Sequence, residues 1–238
     1  VKALERLDLG EFAVTFIPVF HSIIEGFGLG IETPVGRIVH TGDFKIDRNP
    51  LDGHATDLDA FADFSRHGVT LLLSDSTNVE REGFSLTERE IQARLDEVFS
   101  AAKGRILVTL FATHIQRMQE IFDLAAKHGR KVAFTGRSLV ANIEAARELG
   151  HLRFNRENSC EMEELAYLDD DRIVILLTGS QGEPLSALSR VSRSEHRQIN
   201  IHKGDTVIMS SRFIPGNTRA ITRVINDLYR QGATVLYE

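Results

Sequence analysis

The feature that most limits what this chain can become is a rhythm that sets in near residue 85. Short apolar runs at 106–111, 131–135, 173–177, 206–210 and 233–237 alternate with segments whose apolar residues recur at helical spacing. Antiparallel neighbours can be joined by a two-residue turn, whereas parallel strands need a crossover of a dozen residues or more, for which a helix is the usual solution. The spacing therefore predicts a mainly parallel sheet with helices on both faces, an α/β fold in three α/β/α layers. Thr87-x-x-Glu90 is a capping box that starts a helix carrying Ile91, Leu95, Val98 and Phe99 inward. Further helices carry Ile115, Met118, Ile121 and Phe122, then residues 139–149, a segment from about Pro184 that suits a first helical turn, and Ile221, Ile225 and Leu228. The acidic stretch up to Asp171 is less regular, and its run of three aspartates at 169–171 reads as a solvated loop.

Ligands of open parallel sheets collect at the carboxyl ends of the strands. Four loops stand there: Phe111-Ala112-Thr113-His114, Gly136-Arg137-Ser138, residues 178–183 (TGSQGE) and Ser210-Ser211-Arg212. They are rich in hydroxyls, glycine and basic groups, and together they favour an anion such as phosphate, with helix N-termini adding oriented N–H groups. Arg137 reads equally as a phosphate contact and as a solvated charge.

The first third has a different texture. Residues 9–19 alternate apolar and polar positions and read as a strand ending before His21. Gly26, Gly28 and Gly30 are not followed by a helical pattern, so they read as a tight loop beside His21 and not as a dinucleotide cradle. Residues 31–33 and 37–40 form a hairpin around Pro34-Val35-Gly36. The run RIVHTGDFKID at 37–47 then places the Asp43 carboxylate at a strand end, where a rigid sheet can hold a hard ligand for a divalent metal. His40 reads as a hydrogen-bonding neighbour and Asp47 as a turn former. Asn49-Pro50-Leu51-Asp52-Gly53 is turn chemistry, Leu58, Phe61 and Phe64 suggest a short helix, and residues 69–73 read as a buried strand delivering Asp75. His54, His67, His128, His151, His196 and His202 have no partner at metal-binding spacing and read as surface or structural.

With 238 residues, 42% of them hydrophobic, the chain can bury one large core or two moderate ones. Its apolar runs fall far short of the roughly 20 residues of a membrane helix, so the expected location is cytoplasmic, with no membrane partner. The single cysteine, Cys160, excludes an intrachain disulfide and a thiolate metal cluster. A net charge of −6 gives no global attraction to nucleic acid. Residues 1–80 hold 6 Lys and Arg against 13 Asp and Glu, whereas residues 81–224 hold 21 against 19, so the second part is the one suited to a polyanion. Both ends read as cuts: the first residue is Val1, and the last follows an apolar run.

His21-Ser22, HTGDFKID at 40–47, SDSTN at 74–78, GRS at 136–138, TGSQGEP at 178–184 and IPGN at 214–217 together resemble the ribonuclease J family, of the β-CASP branch of the metallo-β-lactamase superfamily. The resemblance runs in order over nearly the whole chain. It implies that residues 1–80 are part of a metallo-β-lactamase αββα sandwich, 81–224 a β-CASP domain, and 225–238 the start of the return to the first domain. It implies hydrolysis of RNA with two zinc ions, both as a 5′-to-3′ exonuclease on 5′-monophosphorylated ends and as an endonuclease, by a homo-oligomer.

The resemblance also implies roles for particular residues. His21 is similar to a metal-ligating His, and Asp43 to the aspartate that bridges the two metals. Asp75 is similar to an acid that supports the catalytic centre through a hydrogen bond to a later His. Thr113 stands where the family has Ser, in a loop resembling the 5′-phosphate pocket, and His114 replaces the usual Asn, as a phosphate contact or a helix cap. Arg137, Ser138 and Ser180 carry over as substrate-binding.

The departures are as informative. No HxHxDH motif occurs here, and HSIIEG replaces HSIPDS after the ligand His. The missing motif is expected before Val1, and the later His ligands beyond residue 238. Two protein ligands do not hold a zinc pair, in which each ion needs about three. The chain alone is therefore expected to be inert, without fully bound zinc. Three other readings stand beside this one: an RNA-binding or assembly module without chemistry, a small-molecule metallo-hydrolase, against which the second domain argues, and a degenerate paralogue.

Overall fold

The computed structural model describes all residues except 22, 48, 52, 78, 81, 215 and 238. Ser22, Asp52, Asn78 and Pro215 of the motifs and turns above thus lie outside the described residues. The chain forms two compact units, Val1–Ala93 and Arg94–Glu238.

In the first unit, β1 (Arg6–Leu9), β2 (Phe12–Pro18), β3 (Phe27–Thr33) and β4 (Gly36–His40) form an antiparallel meander, and β5 (Leu71–Leu73) adds parallel to β4. The β3–β4 hairpin matches the sequence reading. Of the three glycines, only Gly26 lies in the loop. Gly28 and Gly30 lie within β3, where helix α1 (Leu58–Ser65) presses its two phenylalanines onto the strand. A Cβ on Gly28 would sit 2.7 Å from the Phe61 ring, and one on Gly30 would sit 2.7 Å from the Phe64 ring. They are spacers for aromatic rings and not hinges of a loop.

The strand at 69–73 is a second correction. β5 is short and pairs only with β4, at the edge of the sheet, and Leu71, Leu72 and Leu73 are 47%, 61% and 45% exposed. Side chains of a strand are buried by what covers its two faces, and among the described residues both faces of β5 are left half open.

After β5 in the chain, α2 (Glu88–Ala101) begins with the reciprocal cap the sequence predicts. Thr87 N–H donates to Glu90 Oε2 at 2.7 Å, and Glu90 N–H donates to Thr87 Oγ1 at 3.2 Å.

In the second unit, β6 (Ile106–Thr109), β7 (Lys131–Thr135), β8 (Ile173–Leu177), β9 (Thr206–Met209) and β10 (Thr234–Leu236) make a fully parallel sheet in the order β10-β9-β6-β8-β7. Ile175 and Leu177 face one side, where α5 (Ala187–Ser192) and α6 (Thr218–Arg230) contribute Leu188, Val191, Ile221 and Leu228. Phe134 is paired in register with Leu176, so it points to the other side. There its ring meets Phe122 of α3 (Ile115–Lys127) edge-on at 6.5 Å, and α4 (Arg137–Glu148) lies alongside α3. The architecture is the three-layer α/β/α sheet expected from the sequence. Between α4 and β8 the chain passes from one face to the other around the β7 edge, where Ser159 bridges in parallel to Val132.

α5 starts later than the position of Pro184 suggests. Ser186 N–H and Oγ both donate to the Glu183 carbonyl, at 3.0 and 2.7 Å, so Pro184 occupies the second position of a β-turn and Ser186 becomes the N-cap.

Candidate functional site

In the first unit, the segment leading to His21 is stitched to the segment following Asp43. Lys45 N–H donates to the Phe20 carbonyl at 2.6 Å, Phe20 N–H donates to Thr56 Oγ1 at 2.9 Å, and the Thr56 hydroxyl donates to the Lys45 carbonyl at 2.8 Å. The Thr-Gly-Asp turn between them is fixed from two sides. Gly42 N–H donates to His40 Nδ1 at 3.0 Å. Gly42 itself adopts φ +63°, with room for a Cβ only 2.9 Å from the Phe27 carbonyl oxygen. A residue other than glycine would meet both strain and a clash there.

Asp75 closes the group. Its backbone N–H donates to Thr41 Oγ1 at 3.0 Å, and its Oδ1 accepts from the Thr77 N–H at 2.9 Å and the Thr77 hydroxyl at 2.6 Å. The Asp75 carboxyl is held below its ordinary pKa, first by the Thr77 hydroxyl and then, against the effect of burial, by the N–H groups of Thr77 and Phe44 and by the charge of His21. The fold thus brings Asp75 and Phe44, the neighbour of Asp43, together. Asp43 itself is exposed. Asp47 does form the expected turn, with Oδ1 accepting from Asn49 N–H at 2.9 Å. It is also buried and accepts Glu88 N–H on Oδ2 at 2.9 Å, anchoring the start of α2.

His21 and Asp43 offer an imidazole nitrogen and a carboxylate oxygen, which fit part of a metal site. Among the described residues, the group of three such ligands lies elsewhere, at Asp170, His202 and Asp205 near the amino ends of β8 and β9. Asp205 there is already paired through both oxygens with Arg105, at 3.0 and 2.6 Å, and it also accepts the His202 N–H at 2.8 Å. A cation at that point would face a buried guanidinium.

In the second unit, the parallel strands send their four carboxyl-end loops to one edge of the sheet. A cavity of about 650 Å³ opens there, lined by Thr135, Gly136, Arg137, Ser138, Thr178, Leu185, Ala187, Arg190 and His196. Gly136 caps α4 without a side-chain hydrogen bond, and the first helical bond is that from Val140 N–H to the Gly136 carbonyl. The N–H groups of the first turn are therefore free of helical partners and open an anion-binding end beside Arg137. Gly136 has φ +119°, and a Cβ there would stand 3.1 Å from Thr178 Oγ1, so the adjacent ends of β7 and β8 close on each other through it.

Arg190 and His196 complete this cavity, and the sequence reading missed both. By sequence His196 reads as surface or structural, because nothing near it in sequence suggests a site. Burial, then the nearby Arg190, push its imidazole below the ordinary histidine value.

The other expected residues have varied settings. Thr113 is exposed. His114 is the N-cap of α3, its Nδ1 accepting the Arg117 N–H at 3.3 Å. Arg117 is buried, pairs with Glu120 at 2.7 Å, and donates to Ser210 Oγ at 2.6 Å, tying the loops after β6 and β9. Ser180 is 1% exposed. The glycines of its loop are closely approached by neighbouring atoms. Gly179 (φ +117°) leaves only 2.3 Å between an added Cβ and Ser186 Oγ, and Gly182 (φ +72°) leaves 2.7 Å to the Ala220 backbone.

Comparison with known proteins agrees with these motifs. The family described as "Ribonuclease J, beta-CASP domain" matches residues 103–228. A ribonuclease J of Synechocystis sp. is 46% identical over 238 residues, covering 100% of this chain and 37% of that protein. A ribonuclease J of Thermus thermophilus is 46% identical over 234 residues, covering 98% of this chain and 41% of that protein. The chain thus spans well under half the length of these relatives. A crystal structure of a protein of unknown function from Enterococcus faecalis aligns with a TM-score of 0.65 at 13% identity, covering 99% of this chain and 54% of that one, which shows a shared fold.

Proposed function

Since the chain belongs to the ribonuclease J family, of the β-CASP branch of the metallo-β-lactamase superfamily, we propose that the whole protein hydrolyses RNA phosphodiesters, as a 5′-to-3′ exonuclease on 5′-monophosphorylated ends and as an endonuclease. The observation that carries this reading is the anchoring of Asp75, through its N–H, to Thr41 Oγ1 in the Thr-Gly-Asp turn that bears Asp43. His21 and Asp43 would hold the metal, proposed to be two zinc ions, together with ligands from the rest of the protein. Bound zinc supplies Lewis-acid charge at the scissile phosphate. Asp75 orients this group: its N–H and carboxylate lock the 41–44 turn.

In the second unit, Arg137, Ser138 and the open N–H groups of α4 bind phosphate, joined by Arg190 and His196. Thr113 contacts the 5′-phosphate, while His114 and the buried Ser180 shape the loops that contact RNA. Because backbone phosphates carry no sequence information, such contacts suit an enzyme with little sequence preference. The proposed organisation is a metallo-β-lactamase part at 1–80, a β-CASP part at 81–224 and a return from 225. The protein is proposed to be a cytoplasmic homo-oligomer. No helix among the described residues is long and apolar enough to cross a membrane.

The test is Asp43→Ala in the whole protein. Asp43 is exposed, so the fold survives, and both RNA cleavage and zinc content are expected to fall. Retained cleavage sinks the assignment.

A second reading, an RNA-binding module without chemistry in these 238 residues, is favoured by one observation: the cavity beside α4 is lined by residues of the second unit alone. Fluorescence anisotropy of this chain with 5′-monophosphate and 5′-hydroxyl oligoribonucleotides separates the two ligands. Tighter binding of the monophosphate supports a phosphate site within the chain, and equal binding removes it.

A further inference from the structure

Helix α6 is two-faced. Ile221, Val224, Ile225 and Leu228 are buried against the sheet, while Arg219, Thr222, Arg223, Asn226 and Arg230 line a shallow trough of about 430 Å³ on its outer side. These positions follow i, i+3, i+4, i+7 and i+11, a single stripe of roughly 16 Å at 1.5 Å per residue. The cavity beside α4 shares none of these residues.

Two of the three arginines of this stripe, Arg219 and Arg223, are uncompensated. Elsewhere in the same unit, Arg105 is paired with Asp205, Arg117 with Glu120 and Arg193 with Glu195, and Arg130 is capped by the carbonyls of Ala102 and Gly104. Arg230 touches Asp227 at 2.8 Å. Among the described residues, the guanidinium groups of Arg219 and Arg223 have neither an ion pair nor a hydrogen bond, although the chain as a whole carries a charge of −6. Arginines held one helical turn apart, with a hydroxyl and an amide between them and no aromatic ring in the trough, suit a row of phosphates and offer no platform for stacking a base.

We propose that the outer face of α6 is a second RNA-contacting surface, separate from the cavity beside α4, which takes the phosphate backbone of the substrate away from the scissile bond. The inference rests on the ribonuclease reading. Its ligand is a stretch of single-stranded RNA long enough to reach both places, and its effect is on affinity and not on chemistry.

The experiment uses the whole zinc-loaded protein with the double variant R219A/R223A, both side chains being solvent-facing. Binding and cleavage are measured with 5′-monophosphorylated RNAs of about 6 and about 40 nucleotides over a range of salt. Each phosphate contact to a single strand contributes about −0.7 to the slope of log K against log salt. The double variant is expected to bind the long RNA about tenfold more weakly, with a slope shallower by about 1.4, and to cleave the short RNA at the wild-type rate. Unchanged affinity and slope for the long RNA overturn the proposal. So does a change confined to sedimentation behaviour, which assigns the stripe to an acidic protein surface. If the wild-type protein cleaves no RNA of either length, it is the ribonuclease reading that fails.

Discussion

The side-chain amide of Gln181 donates to the carbonyl oxygen of Arg212 at 2.9 Å, while the Gln181 side-chain oxygen accepts the N–H of Ile214 at 2.9 Å. One side chain, 5% exposed, thereby fastens the TGSQGEP loop to the loop that begins the IPGN run. Gln181→Ala removes both bonds and is expected to cost about 1–3 kcal/mol. Urea unfolding of the chain, followed by circular dichroism, measures this, and a loss under half a kcal/mol contradicts the fastening role.

Gly182 and Gly150 both adopt positive φ, +72° and +79°, yet only Gly182 has neighbours at its Cβ position, with Ala220 and Ile221 backbone atoms at 2.7 and 2.8 Å. Gly150→Ala is expected to cost about 1 kcal/mol from backbone strain alone. Gly182→Ala adds about 1–3 kcal/mol, because α6 has to move. Equal losses in paired thermal melts would show that the loop does not bear on the helix.

Asp75 has a depressed carboxyl pKa in the folded chain, with the Thr77 hydroxyl as the largest cause. A depressed carboxylate contributes stability that is present above the unfolded value, near 3.9, and is lost as pH falls through the folded value. Between pH 6 and 3 the wild-type chain is expected to lose more stability than Asp75→Asn. Parallel urea titrations at each pH decide the matter, and matching slopes would remove Asp75 from the account.

His196 has a linkage of the same sign in a higher pH window. Its folded pKa is lowered by burial and by Arg190, so on acidification the unfolded state takes up a proton first. Stability therefore rises with pH from the folded value up to about 6.5, the ordinary histidine value, and is level above it. Melting temperatures from pH 5 to 7.5 are expected to show this rise in the wild type and to lose part of it in His196→Gln.

Asp205→Ala leaves the Arg105 guanidinium buried and unpaired, and a loss of about 3–5 kcal/mol is expected. Asp227→Ala breaks the pair with the exposed Arg230 and is expected to cost no more than about 1 kcal/mol. Denaturant midpoints of the two variants compare a buried ion pair with a surface one in the same unit.

Much of the fold was legible before the structure, because its signals are local. The alternation of apolar runs with helical periods predicts β6 to β10 and the helices between them. The Thr87–Glu90 box marks where α2 begins. The same locality misleads at the edges. Leu71, Leu72 and Leu73 look like a buried strand because a run of leucines does not say what covers the two faces of the strand. Pro184 looks like a helix start because a proline at the second position of a turn has the same φ.

The sequence by itself determined the parallel α/β architecture of the second unit, the strand-end setting of Asp43 and, through its motifs, the family. Helical and strand periods, caps and motif runs are relations between near neighbours, and they survive reading in one dimension. Only the tertiary structure decided that Gly28 and Gly30 make room for Phe61 and Phe64, and that Asp75 reaches both Thr41 and Phe44. It also decided that Arg190 and His196 join Arg137 around one cavity, and that Arg219 and Arg223 keep their charge uncompensated. Each of these depends on which distant residues the packing of helices against sheets brings within a few ångströms, and neither spacing nor composition records that.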